Sequence, residues 1–82
     1  MISMKEEQLR NLVAEVFEAD AAQINDETNL RSLPAFDSVN VLSLMIALDE
    51  RMGVRLSPEQ AASLQQMKEL VQIAREQGRL QA

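Results

Sequence analysis

The chain contains no cysteine, histidine, tryptophan or tyrosine; Phe17 and Phe36 are its only aromatic residues, and glycine and proline occur twice each. Without cysteine there are no disulfide staples and no thiolate metal site, so a core has to be built from Leu, Val, Ile, Met and Ala by aliphatic packing. With histidine also absent, no Ser-His or Cys-His nucleophile pair can be assembled. The only lysines, Lys5 and Lys68, stand far from Ser38 in sequence. Self-contained catalysis is therefore not expected, nor is a metal site.

Positive charge is scarce as well. Eight Lys and Arg against thirteen Asp and Glu give a net charge of -5 and a pI near 4.6. That balance argues against nucleic acid, whose binding rests on cations that displace phosphate counterions, and favours basic partners. No apolar run approaches the roughly 20 residues that cross a bilayer, and MISMKEEQLRNL lacks the apolar heart of a secretory signal. The expectation is a monomeric, cytoplasmic protein. The twelve residues DETNLRSLPAFD, Asp26 to Asp37, imitate a calcium loop only superficially. Arg31 fills its glycine position, Leu30 a ligand position, and Asp37 stands where a bidentate Glu belongs.

What is present reads as one domain over residues 1–82: the length is too short for a second core, and 46% hydrophobic with 26% charged residues is ordinary globular composition. Leu9, Leu12, Val13, Val16 and Phe17 follow amphipathic helical spacing and predict a first helix over about 3–18, with Ser3 and Glu6 as a capping box. A polar stretch follows, ADAAQINDETNLRSLPAFD, in which Ile24, Leu30, Leu33 and Phe36 recur singly as core anchors. Loops of this length in small domains tend to be functional. A second helix is predicted over about 38–52, stopped by a left-handed Gly53 with Arg51 in its last turn. Ser57 as N-cap, Pro58 and Gln60 announce a short third helix, about 57–64. Met67, Leu70, Val71 and Ala74 predict a fourth, about 66–77, stopped by Gly78, with RLQA as a frayed tail. No strand pattern occurs, so the predicted fold is all-α: a small four-helix bundle, three longer helices and one short one, with a long loop between the first two.

The second helix is apolar around most of its circumference, which makes it either central or partly presented to a partner. Ser38 stands at its entrance, where unpaired N–H groups and the helix dipole favour an anion such as a phosphate. Plain N-capping by Asp37 or Ser38 explains the same dipeptide.

The order of these elements, with Asp37-Ser38 and an apolar residue leading into LSLMIALDERMGVRLS, resembles the acyl carrier protein family over roughly Glu6 to Gln77. In that family the serine of an Asp-Ser-Leu motif receives 4'-phosphopantetheine from coenzyme A through a separate transferase. The resemblance implies that Ser38 is the attachment point and Asp37 its acidic neighbour; Val39 stands where Leu is usual. Leu42, Met45 and Ile46 would face partner enzymes or line an acyl pocket, with Asn40 and Ser43 as the polar residues of that surface. Members serving primary fatty acid synthesis carry several carboxylates along this helix, whereas here Asp49 and Glu50 come only near its end, which implies a specialised role and more apolar docking. The implied protein is a carrier rather than an enzyme, partnered by a phosphopantetheinyl transferase and by acyl-loading and acyl-transferring enzymes. The arm would bring the thiol that the chain lacks. Two alternatives remain: an aminoacyl or peptidyl carrier loaded by an adenylating ligase, and an unmodified helical interaction module.

Overall fold

The computed structural model describes residues 4–80, with side chains from Glu6 onward. Among the described residues four α-helices form: α1 (Met4–Val16), α2 (Ser38–Ala47), α3 (Pro58–Ser63) and α4 (Met67–Glu76). No strand occurs among the described residues, only an isolated bridge between Asn29 and Gln66. The all-α expectation holds, and helix limits fall within two residues of those predicted except at the end of α2. The proposed Ser3 cap lies outside the described residues.

The core runs from Leu9, Leu12 and Val13 of α1, through Leu44 of α2, to Met67, Leu70, Val71 and Ala74 of α4, with Phe17, Leu30, Leu48 and Val54 completing it. Each helix lays its apolar stripe inward, as the 3.6-residue period requires. Glu6 of α1 accepts from Arg10 at 3.2 Å and from Arg75 of α4 at 3.2 Å, joining the first and last helices at the surface.

The long connection between α1 and α2 is more ordered than its composition implies. It holds two 3-10 turns, Ala21–Gln23 and Leu30–Ser32, capped by the side chains of Asp20 and Asn29, which accept from the N–H groups of Ala22 and Arg31. Ile24 and Leu30 are buried, as expected of anchors. The backbone supplies a second fastening. The first N–H groups of α4 lack intrahelical acceptors. Met67 N–H donates to Thr28 O and Lys68 N–H to Asp26 O, both at 3.0 Å, while Leu30 N–H reaches Gln65 O at 2.7 Å. The loop thus satisfies one helix while being held by it.

Helix α2 continues past Ala47 as a widened π turn, Leu48–Met52. Val54 N–H closes onto Leu48 O at 3.1 Å, and both residues are fully buried. The widening lets two apolar residues six apart reach one core. Gly53, at φ 67, ends the turn in the left-handed region expected of it. Helix α3 begins as predicted: Gln60 N–H donates to Ser57 Oγ at 3.1 Å, Gln60 Oε1 accepts from Ser57 N–H at 2.9 Å, and Pro58 occupies the first turn.

The expectation of a frayed tail is corrected at Leu80, which is buried in the core cluster. Gly78, at φ 70, turns the chain back. Beside it the Gln77 amide grips the Arg55 backbone, accepting from its N–H at 2.8 Å and donating to its carbonyl at 2.6 Å.

Candidate functional site

Asp37 sits in extended backbone, φ -151 and ψ 174, and its Oδ1 accepts from Asn40 N–H at 2.8 Å. Asp37 is therefore the N-cap, and Ser38 is the first residue of α2. The capping question left open by the sequence closes in favour of the aspartate. Replacing Asp37 by Ala is expected to lower stability by about 1 kcal/mol, measured as a lower urea midpoint at unchanged slope; Asp37→Asn, which keeps the accepting oxygen, should recover most of the loss.

Relieved of capping, Ser38 is exposed. Its hydroxyl has no hydrogen-bond partner among the described residues, and in this it differs from the other described serines. Ser32 Oγ donates to Asn29 O at 2.7 Å, Ser43 Oγ to Val39 O at 3.1 Å and Ser63 Oγ to Gln60 O at 3.2 Å, while Ser57 caps α3. A hydroxyl tied to its own backbone is occupied and shielded; one facing water at a helix N-terminus is free to react, with the positive end of the dipole beside any phosphate it acquires.

The apolar surface of α2 divides into three. Leu44 and Leu48 point inward and are fully buried. Val39, Leu42 and Ile46, 72%, 56% and 52% exposed, occupy positions i, i+3 and i+7 on the outer face. Val41 and Met45 are half-buried between these faces. Asn40 is also half-buried, and its Nδ2 donates to Ala35 O at 2.8 Å, so this amide fastens the loop to the helix start. Ser43, exposed, adds the polar edge of the outer face. Asp49 and Glu50 are exposed at the far end, Asp49 lying 3.9 Å from Arg55.

Beside Ser38 a groove of about 440 Å³ opens between α2 and α3, lined by Val41, Leu42 and Met45 on one wall, Pro58, Ala61 and Ala62 on the other, and Arg31, Phe36 and Asp37 around the serine. A second, separate depression of about 480 Å³ lies on the far side of Leu42 and Met45, toward Ile46 and Leu56. The α3 wall escaped the sequence reading because Ala61 and Ala62 are unremarkable in a short helix and become a wall only once α3 lies against α2.

Arg31 and Phe36 were also missed as site residues. The Arg31 guanidinium donates through Nε to Leu64 O at 3.0 Å and through Nη2 to Ala62 O, carbonyls left over at the end of α3. It lies 5.5 Å above the Phe36 ring, which packs on Phe17 at 5.3 Å between centroids. Among the described residues no cluster of three or more metal-ligating side chains occurs, and no helix is long and apolar enough to cross a membrane.

A family model described as "Phosphopantetheine attachment site" matches residues 7–74. The chain is 32% identical over 62 residues to Polyketide-8 synthase acyl carrier protein 2 of Streptomyces avermitilis, covering 76% of this chain and 71% of that protein. It is 32% identical over 65 residues to the acyl carrier protein of Helicobacter pylori strain G27, covering 79% and 83% respectively.

Proposed function

Because this chain belongs to the phosphopantetheine-attachment family and is an acyl carrier protein, we propose that Ser38 carries its 4'-phosphopantetheine arm. The observation that carries this reading is the Ser38 hydroxyl itself, exposed at the entrance to α2 and without a hydrogen-bond partner among the described residues, while the other described serines are bound to backbone. Asp37 supports it by holding the helix start rigid without occupying that oxygen.

Attachment is a phosphoryl transfer within a separate transferase. Ser38 Oγ bonds to the β-phosphorus of coenzyme A, the pyrophosphate P–O bond breaks, adenosine 3',5'-bisphosphate leaves, and the hydroxyl proton passes to the transferase's base. Once attached, the arm supplies a thiol that holds an acyl group as a thioester. The chain's own residues then do two things. The groove beside Ser38 shelters an aliphatic cargo, each buried methylene contributing up to ~0.8 kcal/mol. Val39, Leu42 and Ile46 offer a docking face to the enzymes that load and unload it, with Ser43 at its edge; no carboxylate stands between Asp37 at the start of α2 and Asp49 at its far end, so the contact is mainly apolar. The names of the relatives, an acyl carrier protein and a polyketide synthase acyl carrier protein, favour an acyl cargo over an aminoacyl one. A cytoplasmic location would bring the chain to coenzyme A and a transferase.

The test is direct loading. Incubated with coenzyme A, magnesium and a broad-specificity phosphopantetheinyl transferase, the folded chain should gain the mass of one arm per molecule; a folded sample that gains none contradicts the proposal.

A further inference from the structure

Resting on the reading that an acyl group is carried from Ser38, we propose that Arg31 determines how long a chain the groove shelters, by latching α3 to the loop that leads to the attachment serine. The walls of the groove come from α2 and α3, so its capacity depends on how far α3 stands from α2. Helix α3 is only six residues long, Pro58–Ser63, which is little more than a turn and a half, and it depends on outside contacts for its position. Arg31 supplies such a contact from 31 and 33 residues away in sequence: one planar guanidinium donates to both Ala62 O and Leu64 O while lying on the Phe36 ring. Phe36 is in turn held by Phe17 of the core. Arg31 thus ties the C-terminal end of α3 to Phe36, two residues before Ser38, and lines the groove at the same time.

With the latch closed, the groove keeps the depth given by the side chains of Met45 and Ala61 and takes a short acyl group without movement of α3. A longer chain needs α3 to swing outward, and that requires both Arg31 hydrogen bonds to break. Arg31 acts here as a positioning residue: it excludes long cargo by holding a wall and takes no part in the thioester chemistry. Lysine is no substitute, because a single ammonium point charge does not reproduce the paired donors of the guanidinium fork.

The test compares wild type, Arg31→Gln and Arg31→Lys, each loaded through a broad-specificity transferase from hexanoyl- or dodecanoyl-coenzyme A and checked by intact mass before melting. In wild type the two acyl forms should melt within about 1 °C of each other, because the extra methylenes stay in water. In both variants the dodecanoyl form should melt higher than the hexanoyl form by roughly 4 °C or more, the scale of a modest stability gain in a domain of this size. A purely structural role for Arg31 would lower both acyl forms alike and leave their difference at the wild-type value, which would overturn the latch. So would a wild type in which dodecanoyl already stabilises as strongly as in the variants. A folded chain that accepts no arm overturns the carrier reading, and the latch with it, before any melting curve is compared.

Discussion

Ser38→Ala is expected to abolish uptake of the phosphopantetheine arm, leaving no mass gain under conditions that convert wild type fully. Removal of the nucleophilic oxygen has no partial outcome, since nothing else in the groove can replace it: the hydroxyl of Ser43, the nearest serine on α2, is engaged with the Val39 carbonyl. The variant should otherwise be unperturbed. The Ser38 hydroxyl has no protein partner among the described residues, the cap belongs to Asp37, and alanine is the best helix former. Stability should therefore stay within about 0.5 kcal/mol of wild type, as for surface substitutions generally. Ser43→Ala serves as the matched control and should load completely. A mass gain persisting in Ser38→Ala would place the arm elsewhere.

The largest effect on stability is expected at Phe17. Its ring is fully buried and packs on Phe36 at 5.3 Å, and its carbonyl accepts from Ala35 N–H at 3.3 Å, so both side chain and backbone join the end of α1 to the approach to Ser38. Truncation to Ala removes a large apolar surface and leaves a cavity that the surrounding aliphatic residues fill only in part. The expected cost is about 3–5 kcal/mol, comparable with the whole stability of a small domain, for which 5–15 kcal/mol is usual. Urea unfolding should show a sharply lowered midpoint or a chain already unfolded in buffer. Phe17→Leu, which keeps most of the volume, should lose under about 1.5 kcal/mol and give a measurable intermediate. A loss below about 1 kcal/mol in Phe17→Ala would contradict the placement of this ring in the core.

The parts of this fold that could be read from the sequence are those fixed by local chemistry. Ser57, Pro58 and Gln60 start α3 through a reciprocal pair of hydrogen bonds spanning three residues, and Gly53 ends the central helix because its φ of 67 is one that glycine adopts without strain. The end of α1 was less legible for the converse reason. Glu18, at φ 54, takes the left-handed position without being a glycine, and Ala19 N–H closes onto Ala14 O at 2.8 Å. Leu80 read as tail because its burial depends on a turn at Gly78 and on the grip of Gln77 on Arg55, a contact between residues 22 apart.

The site divides along the same line. Asp37 and Ser38 were legible as a pair, but which of them caps α2 depends on the extended backbone at Asp37. The apolar residues of α2 were legible as a set. Their division into core (Leu44), groove (Val41, Met45), outer face (Val39, Ile46) and the rim shared by groove and outer face (Leu42) required the positions of α1 and α3. Asn40, read as part of the polar docking surface, spends its side-chain amide on the Ala35 carbonyl. Arg31 gave no local signal at all: its partners lie in the last turn of a helix that the chain builds some thirty residues later.

The most direct test is to map the arm on the loaded wild-type chain by fragmenting the modified peptide and reading which residue bears the added mass. One phosphopantetheine on Ser38, with Ser32, Ser43, Ser57 and Ser63 unmodified, is the predicted result. An arm found on any other residue, or none on a folded chain, would contradict it.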